Sequence, residues 1–149
     1  THSAGVLAMS KSSKVKEEQV KSIRSYGHHF GMAYQLIDDL LDYVGSKTIM
    51  GKNTGDDLSE GKLTLPIILA LAKTSGRKKN SLLHALKQKS SANLEEIVEI
   101  ITSSGAIEDT RKAALHEIEQ AREHLLHLPE NEYRKALESL TEYSADRIF

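Results

Sequence analysis

Proline occurs only twice in the 149 residues, at Pro66 and Pro129, so long stretches of the chain hold no residue that forbids an α-helix. Alanine, leucine, glutamate and lysine dominate, all good helix formers, and aromatic residues make up only 5%. The apolar residues also fall at helical steps. Val20, Ile23, Phe30, Ala33, Ile37, Leu40, Leu41 and Val44 predict one long helix over about residues 14–44, capped by Ser12 or Ser13 and ended by Gly45. A polar loop then spans residues 46–61. Thr64 caps a helix to Lys73, with Pro66 in its first turn, where a missing N–H does no harm. That segment is apolar nearly all round, in Leu65, Ile67, Ile68, Leu69, Leu71 and Ala72, and is expected to be buried.

Shorter helices follow at about residues 79–89 and 94–103. The patch Gly76-Arg-Lys-Lys-Asn80 reads as a turn between helices in water. A longer helix over residues 106–128 carries Ile107, Ala114, Ile118, Ala121, Leu125 and Leu128 on one stripe, and Pro129 stops it. This stripe fits bundle packing as well as a dimer seam. The last helix, residues 132–147, is expected to turn Tyr133, Ala136, Leu137, Leu140 and Ala145 inward. The fold class is all-α, in a single domain without internal repeats.

Lys and Arg number 20 against 21 Asp and Glu, for a net charge of −1, which offers no basic excess for nucleic acid. Cysteine is absent, which excludes disulfides and thiolate metal sites and fits a reducing, cytoplasmic setting. The longest apolar run, residues 65–72, is too short to cross a bilayer, and no signal peptide is recognisable. Contact with a membrane surface stays open. The chain starts at Thr1 without an initiator methionine, and Ala4-Gly-Val-Leu-Ala8 reads as the end of a helix, so a piece of a longer protein is expected. The histidines suggest no zinc site: His28 and His29 are adjacent and point to different faces, and His124 with His127 lacks a carboxylate in a zinc-site pattern.

The run Ala33-Tyr-Gln-Leu-Ile-Asp-Asp-Leu-Leu-Asp-Tyr-Val44 carries the chemistry. In a helix, Gln35, Asp38, Asp39 and Asp42 form a polar stripe beside an apolar one of Leu36, Ile37, Leu40, Leu41 and Val44. Like charges at that spacing repel by about 0.2–0.5 kcal/mol per pair on an exposed helix. The negative C-terminal end of the helix dipole disfavours them further. On its own, Asp-Asp-x-x-Asp is usually a solvated face. Here the apolar flanks, the absence of lysine or arginine, and the loop lysines Lys52 and Lys62 among glycines point elsewhere. Lysine suits phosphate oxygens, glycine lets backbone N–H groups approach an anion, and carboxylates suit a hard divalent ion. The set describes a site for a magnesium-bound diphosphate.

The run Gly31-Met-Ala-Tyr-Gln-Leu-Ile-Asp-Asp-Leu-Leu-Asp-Tyr43, followed by Gly51-Lys-Asn-Thr-Gly-Asp-Asp-Leu-Ser-Glu-Gly-Lys-Leu-Thr-Leu-Pro66, closely resembles the second aspartate-rich motif and following loop of the trans-isoprenyl diphosphate synthases. Within that family the long-chain bacterial branch, octaprenyl diphosphate synthase, is most similar. The likeness extends more weakly through Gly105 to Arg122 and to Arg134-Lys-Ala-Leu137. It implies the C-terminal half of an isoprenoid synthase helical bundle. It also implies that Asp38 is a direct Mg2+ ligand, with Asp39 and Asp42 acting directly or through bound water. Tyr34 and Gln35 would line the cavity near the developing allylic cation, Lys52 and Lys62 would contact the diphosphate, and Asp57 would help orient Lys62 or a bound water.

The activity so implied is addition of isopentenyl diphosphate to an allylic diphosphate, giving a trans-polyprenyl, octaprenyl, diphosphate for quinone side chains. Diphosphate departs, the isopentenyl double bond attacks the allylic cation, and a proton is lost. A homodimer is implied as well, with peripheral membrane contact through the product. The family's first aspartate-rich motif has no counterpart in these residues, so this part alone is expected to be inactive. A noncatalytic helical subunit or partner-binding module of the same fold is the second reading, and a terpene cyclase-like enzyme the third. The intact metal-and-lysine set argues against the former. The absence of Asn and Ser or Thr ligands in the metal motif argues against the latter.

Overall fold

The computed structural model describes residues 16–44, 55–89 and 93–147, and all regular structure among them is helical. The first helix, α1, spans Glu17–Val44 and opens with Glu17 and Glu18, whose charges suit the positive end of a helix dipole. The serine caps and Gly45 stop read from the sequence lie outside the described residues. A short helix, α2, spans Asp56–Glu60. It falls inside the stretch read as loop, because five residues are too few to show a helical period. Gly55 (φ 86°) and Gly61 (φ 73°) bound it, both in the left-handed region that glycine enters without strain.

Then follow α3, Leu65–Lys73; α4, Gly76–Gln88; α5, Leu94–Ser103; α6, Ala106–Leu125; and α7, Glu132–Asp146. The α4 helix starts at Gly76, so Arg77, Lys78 and Lys79 form its first turn rather than an open connection. Beyond Leu125 the chain tightens, with the Leu128 N–H donating to the Leu125 carbonyl at 3.0 Å, and Pro129 follows. Asn131 caps α7, its side chain accepting the Arg134 N–H at 2.9 Å.

Contacts group the chain into two compact units, one of residues 36–112 and one of residues 1–35 with 113–149. In the first, α3 packs on α4 and α5, α4 on α5, and α2 on α4. Ile37, Leu40, Leu58, Ile67, Leu82 and Ile101 are fully buried. The α3 helix buries Pro66, Ile67 and Ala70, whereas Ile68 is 46% exposed. It is therefore covered on one side only, not all round as its composition suggests, because α4 and α5 meet a single stripe of it. Lys73 at its end pairs with Asp109 of α6.

In the second unit Tyr26, Ala121, Leu125 and Leu128 form a core, flanked by Ile23, Phe30 and Leu137. The Tyr26 hydroxyl donates to the Leu137 carbonyl at 3.3 Å and lies 3.3 Å from Thr141 Oγ1, and burial pushes its pKa up. The α7 helix differs from its sequence reading. Tyr133 is 74% exposed and Leu140 is also exposed, while Thr141 and Ser144 are buried. Both hydroxyls donate to carbonyls four residues back, Leu137 at 2.7 Å and Leu140 at 3.0 Å, so they enter the interior already satisfied.

The histidines that looked unrelated in sequence are neighbours in this unit. His29 Nδ1 lies 2.7 Å from Glu117 Oε2, and the His29 ring stacks on His124 with centroids 5.4 Å apart. No described helix is long and apolar enough to cross a membrane.

Candidate functional site

The aspartates occupy the last two turns of α1, and the helix places them unequally. Asp39 is buried, while Asp38 and Asp42 are half-buried. Asp42 is held by the start of α2: its two carboxylate oxygens accept the backbone N–H groups of Asp56 and Asp57, each at 3.2 Å. Its main-chain carbonyl also accepts the Gly55 N–H at 3.1 Å. Burial, then the neighbouring Asp57 charge, raises the Asp42 pKa, and the two amides oppose that shift.

From α2 the connections continue to the loop lysine. Asp57 Oδ1 accepts from Lys62 Nζ at 2.9 Å, and the Lys62 N–H donates to the Asp57 carbonyl, also at 2.9 Å. Glu60 pairs with the same ammonium at 2.7 Å. These two carboxylates, Glu60 first, hold the lysine in its charged form. Tyr43, next to Asp42, is buried with its hydroxyl 3.4 Å from Thr64 Oγ1, and burial raises its pKa. Thr64 thus stands at the cap position of α3, but its hydroxyl pairs with that of Tyr43 and not with a helix amide. Tyr43 was not singled out in the sequence, although its place three residues after Leu40 marks it as inward-facing.

Lys52 lies outside the described residues. Tyr34 and Gln35 are exposed and belong to the other compact unit. There the Arg147 guanidinium sits 5.4 Å from the centre of the Tyr34 ring, a cation–π contact that no sequence spacing announced.

Among the described residues no three His, Asp or Glu side chains are grouped to hold a metal ion by themselves. The donor chemistry still fits a hard divalent ion. Magnesium is commonly held by one or two carboxylates, with waters and substrate phosphates completing its octahedron. Asp38 and Asp39 can supply that share.

An all-trans-nonaprenyl-diphosphate synthase (geranyl-diphosphate specific) of Rhodobacter capsulatus is 41% identical over 133 residues, covering 89% of this chain and 41% of the relative. The octaprenyl diphosphate synthase of Escherichia coli is 37% identical over 131 residues, 87% of this chain and 41% of the relative. Among solved structures, a polyprenyl synthase from Caulobacter crescentus, complexed with calcium and isoprenyl diphosphate, superposes with a TM-score of 0.80 at 36% identity. It covers 91% of this chain and 42% of that one. The chain thus spans about two fifths of the length of the relatives it matches. The profile of the polyprenyl synthetase family matches residues 2–102, and the chain belongs to that family.

Proposed function

We propose that the protein is a trans-polyprenyl diphosphate synthase, extending an allylic diphosphate with isopentenyl diphosphate, and that this chain supplies one wall of its diphosphate site. The observation that carries the reading is the junction between the aspartate-rich end of α1 and the lysine-bearing segment. Asp42 holds the amides of residues 56 and 57, and Asp57 holds Lys62.

Asp38 and Asp39 would hold magnesium with the substrate phosphates. The ion would neutralise charge on the departing diphosphate. Lys62, kept charged by Glu60 and Asp57, faces solvent at 55% side-chain exposure and can turn its ammonium to the same diphosphate as charge develops on it. Lys52 would join it there. Asp57 orients Lys62. Tyr34 and Gln35 would stand toward the allylic cation, where the Tyr34 ring face and the Gln35 carbonyl suit a positive charge. The product is octaprenyl diphosphate for a quinone side chain, made in the cytoplasm by a homodimer. These 149 residues without the rest of the fold are inactive.

The test is to express the complete reading frame that encodes this chain and incubate it with magnesium, farnesyl diphosphate and isopentenyl diphosphate, resolving products by chromatography. Elongation to an eight-unit product is expected, and absence of any elongation sinks the proposal. Asp38→Ala should lower turnover by about 100-fold, the scale of removing one group that stabilises transition-state charge. Helix content should be unchanged by circular dichroism. Full activity in that variant removes Asp38 from the site.

A further inference from the structure

We infer that Asp42 is a positioning residue, which fixes the segment carrying Lys62 against the aspartate-rich helix, and that the ion-facing role belongs to Asp38 and Asp39. The inference rests on the synthase reading above, and it assigns the third aspartate a role different from that of the first two.

The argument begins at the end of α1. A carboxylate in the last turn of a helix faces the negative end of its dipole and is unfavourable there. At Asp42 the compensation is visible and consists of amides. Three consecutive N–H groups, those of Gly55, Asp56 and Asp57, converge on this one residue, the first on its main-chain carbonyl and the others on its two carboxylate oxygens. The opening N–H groups of a helix have no partner within it. Gly55, which stands at the cap position of α2, has no side chain to offer them. Asp42 takes that place from another helix.

The chain of contacts then passes through Asp57, which meets Lys62 twice: its carbonyl takes the Lys62 N–H and its carboxylate takes the ammonium. Each link is a hydrogen bond of 2.9–3.2 Å. Lys62 is more than half exposed and has a flexible stem that, unsupported, samples many rotamers. Its position relative to α1 is set by this path. Asp42, with both oxygens committed to amides and half-buried beneath α2, is arranged as an acceptor for the backbone.

The experiment uses the complete protein with Asp42→Ala, Asp42→Asn, Lys62→Ala, the Asp42→Ala/Lys62→Ala double variant, and Asp38→Ala for comparison. In Asp42→Ala, kcat/KM for the allylic diphosphate is expected to fall about 10-fold, mainly through KM, with the magnesium concentration for half-maximal activity unchanged within twofold. The double variant should be no worse than Lys62→Ala, since residues acting through one another do not lose activity independently. A raised magnesium requirement like that of Asp38→Ala, or losses that multiply in the double variant, overturns the inference.

Amide hydrogen exchange gives a readout that needs no activity. Exchange at Asp56 and Asp57 should quicken at least 10-fold in Asp42→Ala and less in Asp42→Asn, which keeps one acceptor oxygen and guards against a variant that fails to fold. Unchanged exchange at both amides in either variant overturns the tether. If the wild-type protein elongates nothing, the synthase reading fails while the amide measurement still decides the tether.

Discussion

His124 shows how a single side chain carries pH dependence in this molecule. Burial first, and then the neighbouring His29 and His127 rings, lower its pKa from the usual 6.5, with Glu123 acting weakly the other way. His29, stacked on it, is in turn held by Glu117. A depressed folded pKa means that the unfolded chain takes up a proton more readily. The stability His124 contributes is therefore present above pH 6.5 and lost as pH falls through the lower folded value. Thermal melts between pH 7.5 and 5.5 should show a smaller drop in Tm for His124→Gln than for the wild type, and equal drops exclude this assignment. None of this was legible in sequence, because residues 29 and 124 meet only through the packing of α1 on α6. Leu125, one position further, was legible: its 3–4 spacing from Ala121 and Leu128 already gave it an inward face.

The element that the sequence hides best is α2. Its five residues read as an acidic loop, yet its boundaries are set by glycines, and its first amides are satisfied by a residue on another helix. The long helices were readable because periodicity accumulates over several turns. For α7 the reading held at Leu137, which packs on the core, and failed at Tyr133, Ala136 and Leu140, which are exposed, since Thr141 and Ser144 are polar by name and satisfied within their own helix. At Gly55 both backbone and space are restrictive: φ is 86°, and an added Cβ would collide with the Leu94 side chain. Gly55→Ala should cost about 1–2 kcal/mol for the left-handed conformation, plus whatever displacing Leu94 adds. Urea denaturation measures this, and a loss below a few tenths of a kcal/mol shows that α2 shifts to accept the methyl.

At the scale of the whole molecule, the family was open to reading because the run that carries the resemblance, residues 31–66, is continuous in sequence. Pairings such as Arg147 with Tyr34 join opposite ends of the chain and were not. That pattern governs how the protein can assemble in time. Residues 36–112 form a unit that is continuous in sequence, whereas the other unit joins residues 1–35 to residues 113–149. The continuous unit can collapse through contacts between elements that follow one another in sequence. The discontinuous one must close a long loop before contacts such as Tyr26 with Leu137, 111 positions apart, reward it. Pulse-labelled refolding should accordingly protect amides in α3 to α5 before those of α7, and simultaneous protection contradicts this order. During synthesis the consequence is sharper: the first half of α1 leaves the ribosome before α6 and α7, so the Tyr26 hydroxyl waits for Leu137 and Thr141 in the last of these helices.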